Sequence, residues 1–429
     1  MSFPQAEKNP IQLIKLKYLA TCNDDVLSES TDPEKVIEYV DIGSVDRVSG
    51  IQNTENYTFK DAPSRARRLA QCGDIIVSTV RTYLEAIAPV DERHSKAVFS
   101  TGFAVVRPRG MHAEFAKYAL RSREFISSVI IESVGVGYPA ISSRSLMNLK
   151  VPVPNQTDQK VIAHFLDKEI SRIDALVEEK RAFINLLKEK RQAMISHVVT
   201  KGLNPNVEMK DSGVEWIGEI PRHWDAKRIK HVAKVNPSTN RPEILPDESI
   251  GFVPMTNVNE KIGVIRKVDV RKYSEVSSGY TLFQNGDVIF AKITPCMENG
   301  NCAMIADMNY GIGFGSTEFI VFRPGKLIMQ EYLHMVLRNN ELRKICKRFM
   351  SGTAGQQRIA TPFLENFPLA LPPIEEQKAI VKEVGKKVKR LESLEDEVRK
   401  SIELLKEHRT ALISAAVTGK IDLRDKEVA

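Results

Sequence analysis

The sequence is poor in the signatures by which catalysts are read. No GxxxxGK[ST] phosphate loop occurs; residues 351–358, SGTAGQQR, carry glycines but no lysine. The eight histidines show no HExxH and no paired metal-ligand spacing. There is no GxSxG nucleophile elbow. No GxGxxG follows a strand-like run, and Gly311, Gly313 and Gly315 alternate in a way that suits a turn. The [ND]PP[YF]-like tetrapeptide of an adenine methyltransferase is missing. Glu178 and Lys180 spell the ExK of some nucleases, but they lie in a charged helical run with no strand around them.

Cysteine is scarce as well. Five residues, at 22, 72, 296, 302 and 346, form no CxxC pair, and an odd number argues against a disulfide framework. Cys296 and Cys302 read as loop or core thiols, and a reduced, cytoplasmic setting is expected. No 18-residue apolar run occurs, and MSFPQAEKNP at the start has no apolar core of signal length, so neither a membrane span nor an export signal is expected. Only two tryptophans, Trp216 and Trp224, are present. They fall in a Gly-, Pro-, Asn- and Asp-rich stretch and read as anchors of that stretch on the domain that follows.

What remains is a soluble globular composition, 42% hydrophobic and 27% charged, in a chain of 429 residues with room for two or three cores. The formal charge of +7 and isoelectric point near 9.0 allow a polyanionic partner without requiring one.

One stretch dominates. Residues 159–199 contain no Pro or Gly. A 4,3 spacing runs through Leu166, Ile170, Ile173, Val177, Lys180, Ile184, Leu187, Arg191, Met194 and Val198, eight of the ten being apolar. That is a heptad seam on a long helix, about 60 Å for some 40 residues, built to pair with another helix. The partner lies at an offset of 218, through Val384, Val388, Leu391, Glu395, Val398, Ile402, Leu405, Arg409, Leu412 and Ala416. The flanks match too: VPVPNQTDQK against LALPPIEEQK, and KRQAMISHVVTKGL against HRTALISAAVTGKI.

The repeat extends upstream. FVPMTNV (252–258) answers YVDIGSV at an offset of 213, and GDVIFAKI (286–293) answers GDIIVSTV at the same offset. STEFIVFRPG answers STGFAVVRPRG at 216, EYLHMVLRNNEL answers EFAKYALRSREF at 217, and SGTAGQQRIATPFL answers SVGVGYPAISSRSL at 218. Small upward steps in offset mean short insertions, which collect in loops. The short Val/Ile runs are strand-like, and 112–130 has one continuous helical spacing through Phe115, Ala119 and Phe125. The expected fold is α+β: two tandem, duplicated globular domains alternating with two long helices that pair as an antiparallel intramolecular coiled coil. The expected boundaries are a first domain at 1–155, a helix at 156–200, a linker at 201–224, a second domain at 225–373, a second helix at 374–419 and a tail at 420–429. Arg191 and Arg409 interrupt the seam. Either their stems cover it while the charged heads snorkel outward, or they meet a partner subunit.

Taken together and in duplicate, the GDIIVSTV and GDVIFAKI strands, the VPVPNQTDQ and LPPIEEQ lead-ins, the heptad helices ending ISHVVTKGL and ISAAVTGKI, and the linker EWIGEIPRHW resemble the specificity subunit of a type I DNA restriction–modification enzyme. The resemblance implies that each globular unit is a target recognition domain reading one half of a split double-stranded DNA site. It implies helices that fix the gap and bind two methyltransferase (modification) subunits, with restriction (translocase and nuclease) subunits joining them. S-adenosylmethionine, ATP and Mg would be held by those partners and none by this chain, which would be a non-catalytic subunit of a deoxyribonuclease and adenine methyltransferase complex. The alternative is a stand-alone DNA-binding coiled-coil regulator.

Side-chain type selects the candidate DNA contacts, since Arg suits guanine, and Asn or Gln adenine. In the first unit these are Ser44, Arg47, Ser78, Thr79, Arg81, Thr82, Tyr83, Tyr138, Ser142, Ser143 and Arg144, with Arg65, Arg67 and Arg68 for phosphates. In the second they are Asn257, Asn259, Lys292, Thr294, Gln356, Gln357 and Arg358. A solvated or loop-stabilising role serves each of these equally well on sequence alone. Arg191 and Arg409 are the candidate partner contacts.

Overall fold

The computed structural model describes residues 11–353, 355–421 and 423; the tail expected at 420–429 therefore lies largely outside the described residues, as do residues 1–10. The chain divides into two compact units, 1–181 with 399–429, and 182–398. Each unit thus combines one globular part with a portion of both long helices.

In the first unit the strands Ile87–Pro89, Ile75–Ser78, Phe103–Pro108 and Ala20–Cys22 form an antiparallel sheet in that order. A second sheet runs Asp25–Val26, Ala66–Leu69, Val98–Ser100, Val36–Val40, Glu55–Thr58, with one parallel pair, Val98–Ser100 on Val36–Val40. A ribbon of Gln12–Lys15 with Lys150–Val153 leads into the first long helix. The second unit repeats the plan. Ala233–Val235, Phe319–Pro324, Val288–Ala291 and Cys302–Met304 form one sheet. Asp269–Lys272, Ser249–Val253, Ile312–Gly315 and Thr281–Gln284 form the other, again with one parallel pair. Val36–Val40, Ile75–Ser78 and Phe103–Pro108 with their counterparts are the strand repeats read from the sequence; the remaining strands repeat as well, with Asp25–Val26 as the addition in the first copy.

Three devices occur in both copies, and each explains a motif. The Asp of the Gly-Asp pair is buried and takes a bidentate guanidinium. Arg107 reaches Asp74 at 2.9 and 2.8 Å, and Arg323 reaches Asp287 at 2.7 and 2.8 Å. Paired hydrogen bonds of this kind compensate the carboxylate for its lost hydration. The Asp74 hydrogen bond, with Asp25 adding to it, holds Arg107 protonated well above the ordinary arginine range. The Gln of each helix lead-in is buried as well. Gln159 accepts from the His112 N–H at 2.8 Å and donates to the Pro154 carbonyl, as Gln377 accepts from Met329 and donates to Pro372. Asn23 and Asn236 adopt left-handed φ of 60° and 44°, and each side-chain oxygen accepts a strand N–H, from Val105 and Val321. Asn tolerates that conformation better than most residues.

The long helices run Gln156–Lys201 and Ile374–Val417. Asn155 opens the first by accepting from the Asp158 N–H at 2.8 Å. Gly202 (φ 78°) and Gly419 (φ 69°) close them with the left-handed turn that only glycine adopts without strain. The seam is apolar where the heptads place it: Leu166, Ile170, Ile173 and Val177 are buried, as are Val398, Ile402 and Ala416. In the first unit Leu166, Ile170 and Ile173 share a core with Ile413, Ala416 and Val417; in the second, Ile195, Val198 and Val199 share one with Ile380 and Val384. The early part of one helix therefore packs on the late part of the other, and the pair is antiparallel. Glu178 of the ExK string pairs with Arg181 on the solvated side. Gly385 stands inside the second long helix, where glycine costs roughly 0.5–1 kcal/mol relative to alanine.

Three expectations change. The spacing over 112–130 is two helices, Ala113–Ala119 and Arg123–Ile131, because the Ser122 side chain accepts from the Phe125 N–H and starts a new helix. The second copy breaks in the same way at Asn339. The stretch 201–224 is more than a linker: Met209–Asp211 pairs with Glu219–Pro221, and Ile217, Ile220 and Trp224 enter the second unit's core. Trp224 donates to Glu376 at 2.9 Å, and Trp216 packs on Phe367, so both tryptophans anchor in the second unit. Finally, the Arg409 head does not snorkel. It is buried and donates to Asp174 at 2.9 Å.

Candidate functional site

The loops that follow Val36–Val40, Ile75–Ser78 and Val98–Ser100 converge at the carboxyl ends of those strands. Together with Arg65 and Tyr138 they border an open cleft of about 770 Å³, lined by Tyr39, Asp41, Arg65, Arg81, Thr101 and Tyr138 among others. Arg65 is exposed, and its carbonyl accepts from the Thr101 N–H at 2.8 Å, which fixes the backbone under its side chain. Arg81 is held at a left-handed φ of 50°, unusual for a non-glycine residue. Its guanidinium lies 4.9 Å from the centre of the Tyr138 ring. Glu85, at the far end of the same turn and also left-handed (φ 51°), takes Arg47 as an ion pair. Two strained residues flanking one short turn re-aim Arg81 over the tyrosine, and strain of this kind gathers at functional sites. Tyr138 sits in a small hairpin closed by the Val134–Ala140 bridge, with Val136 fully exposed at its tip.

The structure sorts the first-unit candidates. Arg65, Arg81, Tyr83, Tyr138 and Arg144 present exposed side chains. Ser78, Thr79 and Thr82 face inward. They are buried, and their hydroxyls donate to Val80 O (2.6 Å), Gly102 O (2.8 Å) and the Ser133 hydroxyl (2.8 Å), because loops packed beside a sheet leave backbone acceptors that short hydroxyls can reach. Ser44 is tied to Asp41, Ser142 caps a helix by accepting from the Ser145 N–H, and Ser143 accepts from Asn23. The Arg cluster is not one surface: Arg67 bonds its neighbour Ala66 O and lies over the Phe59 ring, and the Arg68 Nε is buried.

In the second unit, Lys292 is half-buried and Gln356 exposed at the equivalent edge. Thr294 and the Gln357 backbone bond one another. Asn257 donates to Lys267 O and Asp269, and Asn259 accepts from the Lys261 N–H. Arg358 makes a bidentate pair with Glu318, at 3.0 and 2.7 Å, and this holds the Glu318 carboxyl below the usual range. Sequence reasoning missed Thr101, Leu84 and the Val134–Val136 tip; for the tip, valines alternating with glycine in SVGVGY marked a loop but not its exposure, and nothing local marked the other two.

A second layer fixes the turn carrying Arg47. Arg121 donates to Arg47 O at 2.6 Å and Val48 O at 3.2 Å, and Arg409 adds a bond to Val48 O at 3.3 Å. Burial, and after it the Arg409 charge, pulls the Arg121 guanidinium down to about 10. The second unit repeats the arrangement, with Arg338 donating to Glu260 O at 3.0 Å and Lys261 O at 2.7 Å. Arg191, sister of Arg409, pairs with Glu392 at 3.5 Å. Asp174 precedes Arg191 by the same interval that separates Glu392 from Arg409, so both pairs obey one antiparallel register. Both seam arginines are thus engaged within the chain.

Among the described residues no group of His, Cys, Asp and Glu could hold a metal, and no helix is long and apolar enough to cross a membrane. Cys302 is a buried thiol pushed up to about 12 by desolvation.

Comparison with known proteins matches the type I restriction modification DNA specificity domain twice, at residues 31–186 and 221–404. The type I restriction enzyme EcoAI specificity subunit of Escherichia coli is 35% identical over 164 residues, which are 38% of this chain and 28% of that protein. The matched part therefore spans little more than a quarter of that relative. The MjaVIII specificity subunit of Methanocaldococcus jannaschii is 25% identical over 320 residues, covering 72% of this chain and 70% of that one. A solved chain described under "Structural basis underlying complex assembly and conformational transition of the type I R-M system" superposes with a TM-score of 0.73 at 20% identity, over 97% of this chain and all of its own. The HsdS subunit from Thermoanaerobacter tengcongensis gives 0.54 at 19% identity over 97% of this chain and 99% of its own; at these identities the two structures speak for the fold. With both copies of the domain matched, the chain belongs to the type I restriction modification DNA specificity family.

Proposed function

We propose that the chain reads an asymmetric, two-part DNA site, one half with each unit, and that it does so as a non-catalytic subunit. The observation that carries this is the duplicated framework with different side chains at its edge. Arg81, Tyr138 and Ala140 of the first unit stand where the second has Thr294, Gln356 and Arg358. An arginine held on an aromatic ring loses little freedom on binding and can donate two hydrogen bonds to guanine, whereas glutamine suits adenine; each such pair contributes about 1–3 kcal/mol of discrimination. Arg65, Arg144 and Lys292 supply sequence-independent phosphate contacts. The recognition domains are proposed at 1–155 and 225–373.

The paired helices set the gap between half-sites and carry the docking surface for two methyltransferase subunits, through which restriction subunits join. S-adenosylmethionine, ATP and Mg belong to those partners. Because Arg191 and Arg409 are engaged internally, the docking surface is the charged outer face of the helices and not the seam. The test is co-expression with modification subunits and genome-wide mapping of methylated adenines. A split motif with a fixed gap is expected; a continuous motif or no motif contradicts the reading. Inserting four residues in one long helix shifts the seam against its partner and should change the gap or abolish assembly.

A further inference from the structure

The two units treat a carboxylate at the reading edge in opposite ways. Val98–Ser100 runs parallel to Val36–Val40, so the residues that follow both strands leave the sheet side by side. Asp41 is the first residue past Val40. It is exposed and lines the cleft with Arg65, Arg81 and Tyr138. Its Oδ1 accepts from the Ser44 N–H and from the Ser44 hydroxyl, both at 2.9 Å, and among the described residues its Oδ2 accepts no hydrogen bond and no arginine pairs with it. At the second unit's edge the carboxylate is Glu318, and there Arg358 takes both oxygens at 3.0 and 2.7 Å. One carboxylate is neutralised within its unit; the other stands open in the cleft.

The local turn does not require Asp41. The carboxylate caps the short turn Ile42–Ser44, but the sister turn, Met255–Asn257, forms behind Pro254 with no side-chain cap. Pro254 occupies the Asp41 position at the offset of 213. Beside two exposed arginines, a carboxylate works against the binding of phosphates. Covering it without a partner would be costly, so it favours binding only where the DNA brings it a hydrogen-bond donor.

In the major groove the four bases answer that demand differently. Guanine presents two acceptors, N7 and O6, and thymine presents the acceptor O4 with a methyl group. Adenine places the acceptor N7 beside its 6-amino group. Cytosine alone presents a donor, its 4-amino group, with no acceptor beside it. A carboxylate therefore attracts cytosine and repels the acceptors of the other three, which separates partners by disfavouring the wrong ones.

We propose that Asp41 is a specificity-determining residue of the first unit, its Oδ2 accepting a hydrogen bond from the 4-amino group of a cytosine in the half-site. This rests on the reading of the cleft as a DNA-binding edge. The second unit, with Pro254 at this place, has no such acceptor.

The test is competition binding by the full complex with modification subunits, using duplexes that carry each of the four base pairs at each position of the first half-site. At one position the wild type should prefer cytosine over the other three bases by at least about tenfold. Asp41→Asn keeps the cap, because asparagine caps as well as aspartate, but its amide also donates and can pair with adenine N6 and N7. It should bring adenine within about threefold of cytosine at that position and leave the others as they were. Asp41→Ala should level all four bases there. A duplex with 2-pyrimidinone, which lacks the amino group, in place of that cytosine should bind the wild type about tenfold more weakly and Asp41→Ala no differently. Unchanged discrimination at every position in both variants, or loss of preference for a base other than cytosine, would overturn the role of Asp41. A wild-type complex that distinguishes no base at any position of the half-site would instead overturn the DNA-reading assignment, and this proposal with it.

Discussion

The first and second units share what is buried and differ in what is presented. The Asp74–Arg107 and Asp287–Arg323 pairs, the Gln159 and Gln377 bonds, and the Arg121 and Arg338 bonds to loop carbonyls occupy equivalent places with nearly equal distances. At the cleft the copies part. Gly102 and Ala140 leave the first unit's floor bare, while Glu318 and Arg358 hold one another at the same two positions in the second. Duplication keeps the parts whose loss would unfold a unit and frees the parts that only a ligand would notice. The edge positions differ in how firmly they are held: Arg81, Tyr138 and Gln356 are exposed, whereas Thr294 and Arg358 are bonded within the second unit.

The largest effect is expected in the shared core. Asp287→Ala leaves Arg323 without its main partner and should cost roughly 3–5 kcal/mol. Both tryptophans belong to the second unit, so tryptophan fluorescence during denaturation reads that unit. Asp287→Ala should shift the fluorescence midpoint, whereas Asp74→Ala should shift the circular dichroism transition and leave the fluorescence where it was. Equal fluorescence shifts from both would mean that the copies do not unfold separately.

The next largest effect separates the units by pH. His334 is buried, and desolvation followed by the Arg338 charge lowers it to about 4 from 6.5. Its first-unit sister is Lys117, paired with Asp167 and Glu114. A folded-state value below the unfolded one means stability that is intact above pH 6.5 and lost as pH falls toward 4, on the order of 2–3 kcal/mol. The wild-type fluorescence midpoint should fall faster between pH 6.5 and 4.5 than that of His334→Gln; parallel curves would refute the assignment.

Smaller again is the seam. Arg409→Ala removes a buried guanidinium bonded to Asp174 and Val48 O and should cost about 1–3 kcal/mol. Arg191→Ala removes a looser pair and should cost less than about 1 kcal/mol. Thermal denaturation of the two variants ranks them, and the reverse order would show that these distances do not track energy. Arg81→Thr, which installs the second unit's residue, should leave stability within about 0.5 kcal/mol while weakening DNA discrimination at one base position by about 1–3 kcal/mol.

The periodic features were legible from residues alone: the seam, its copy at an offset of 218 and the strand repeats all rest on spacing, and spacing survives folding. Pairings across sequence were not. Nothing local says that Asp74 meets Arg107, that Gln159 holds the amide of His112, or that Arg409 turns inward to Asp174. Ser78, Thr79 and Thr82 have the composition of a reading loop but face acceptors of neighbouring chain. Hydroxyls next to strands are consumed by such acceptors when one lies within reach, and reach depends on the fold. Conversely, the glycine-rich SVGVGY announced a loop without disclosing that Val136 would stand at its exposed tip.

Each unit's edge residues are proposed to specify one half of the site and to leave the other alone. The direct measurement is the methylated motif written in cells by the full complex carrying Arg81→Thr with Tyr138→Gln. One half of the motif should change while the other half and the gap stay as they are in the wild type. A change in both halves, or an unaltered motif, would contradict it.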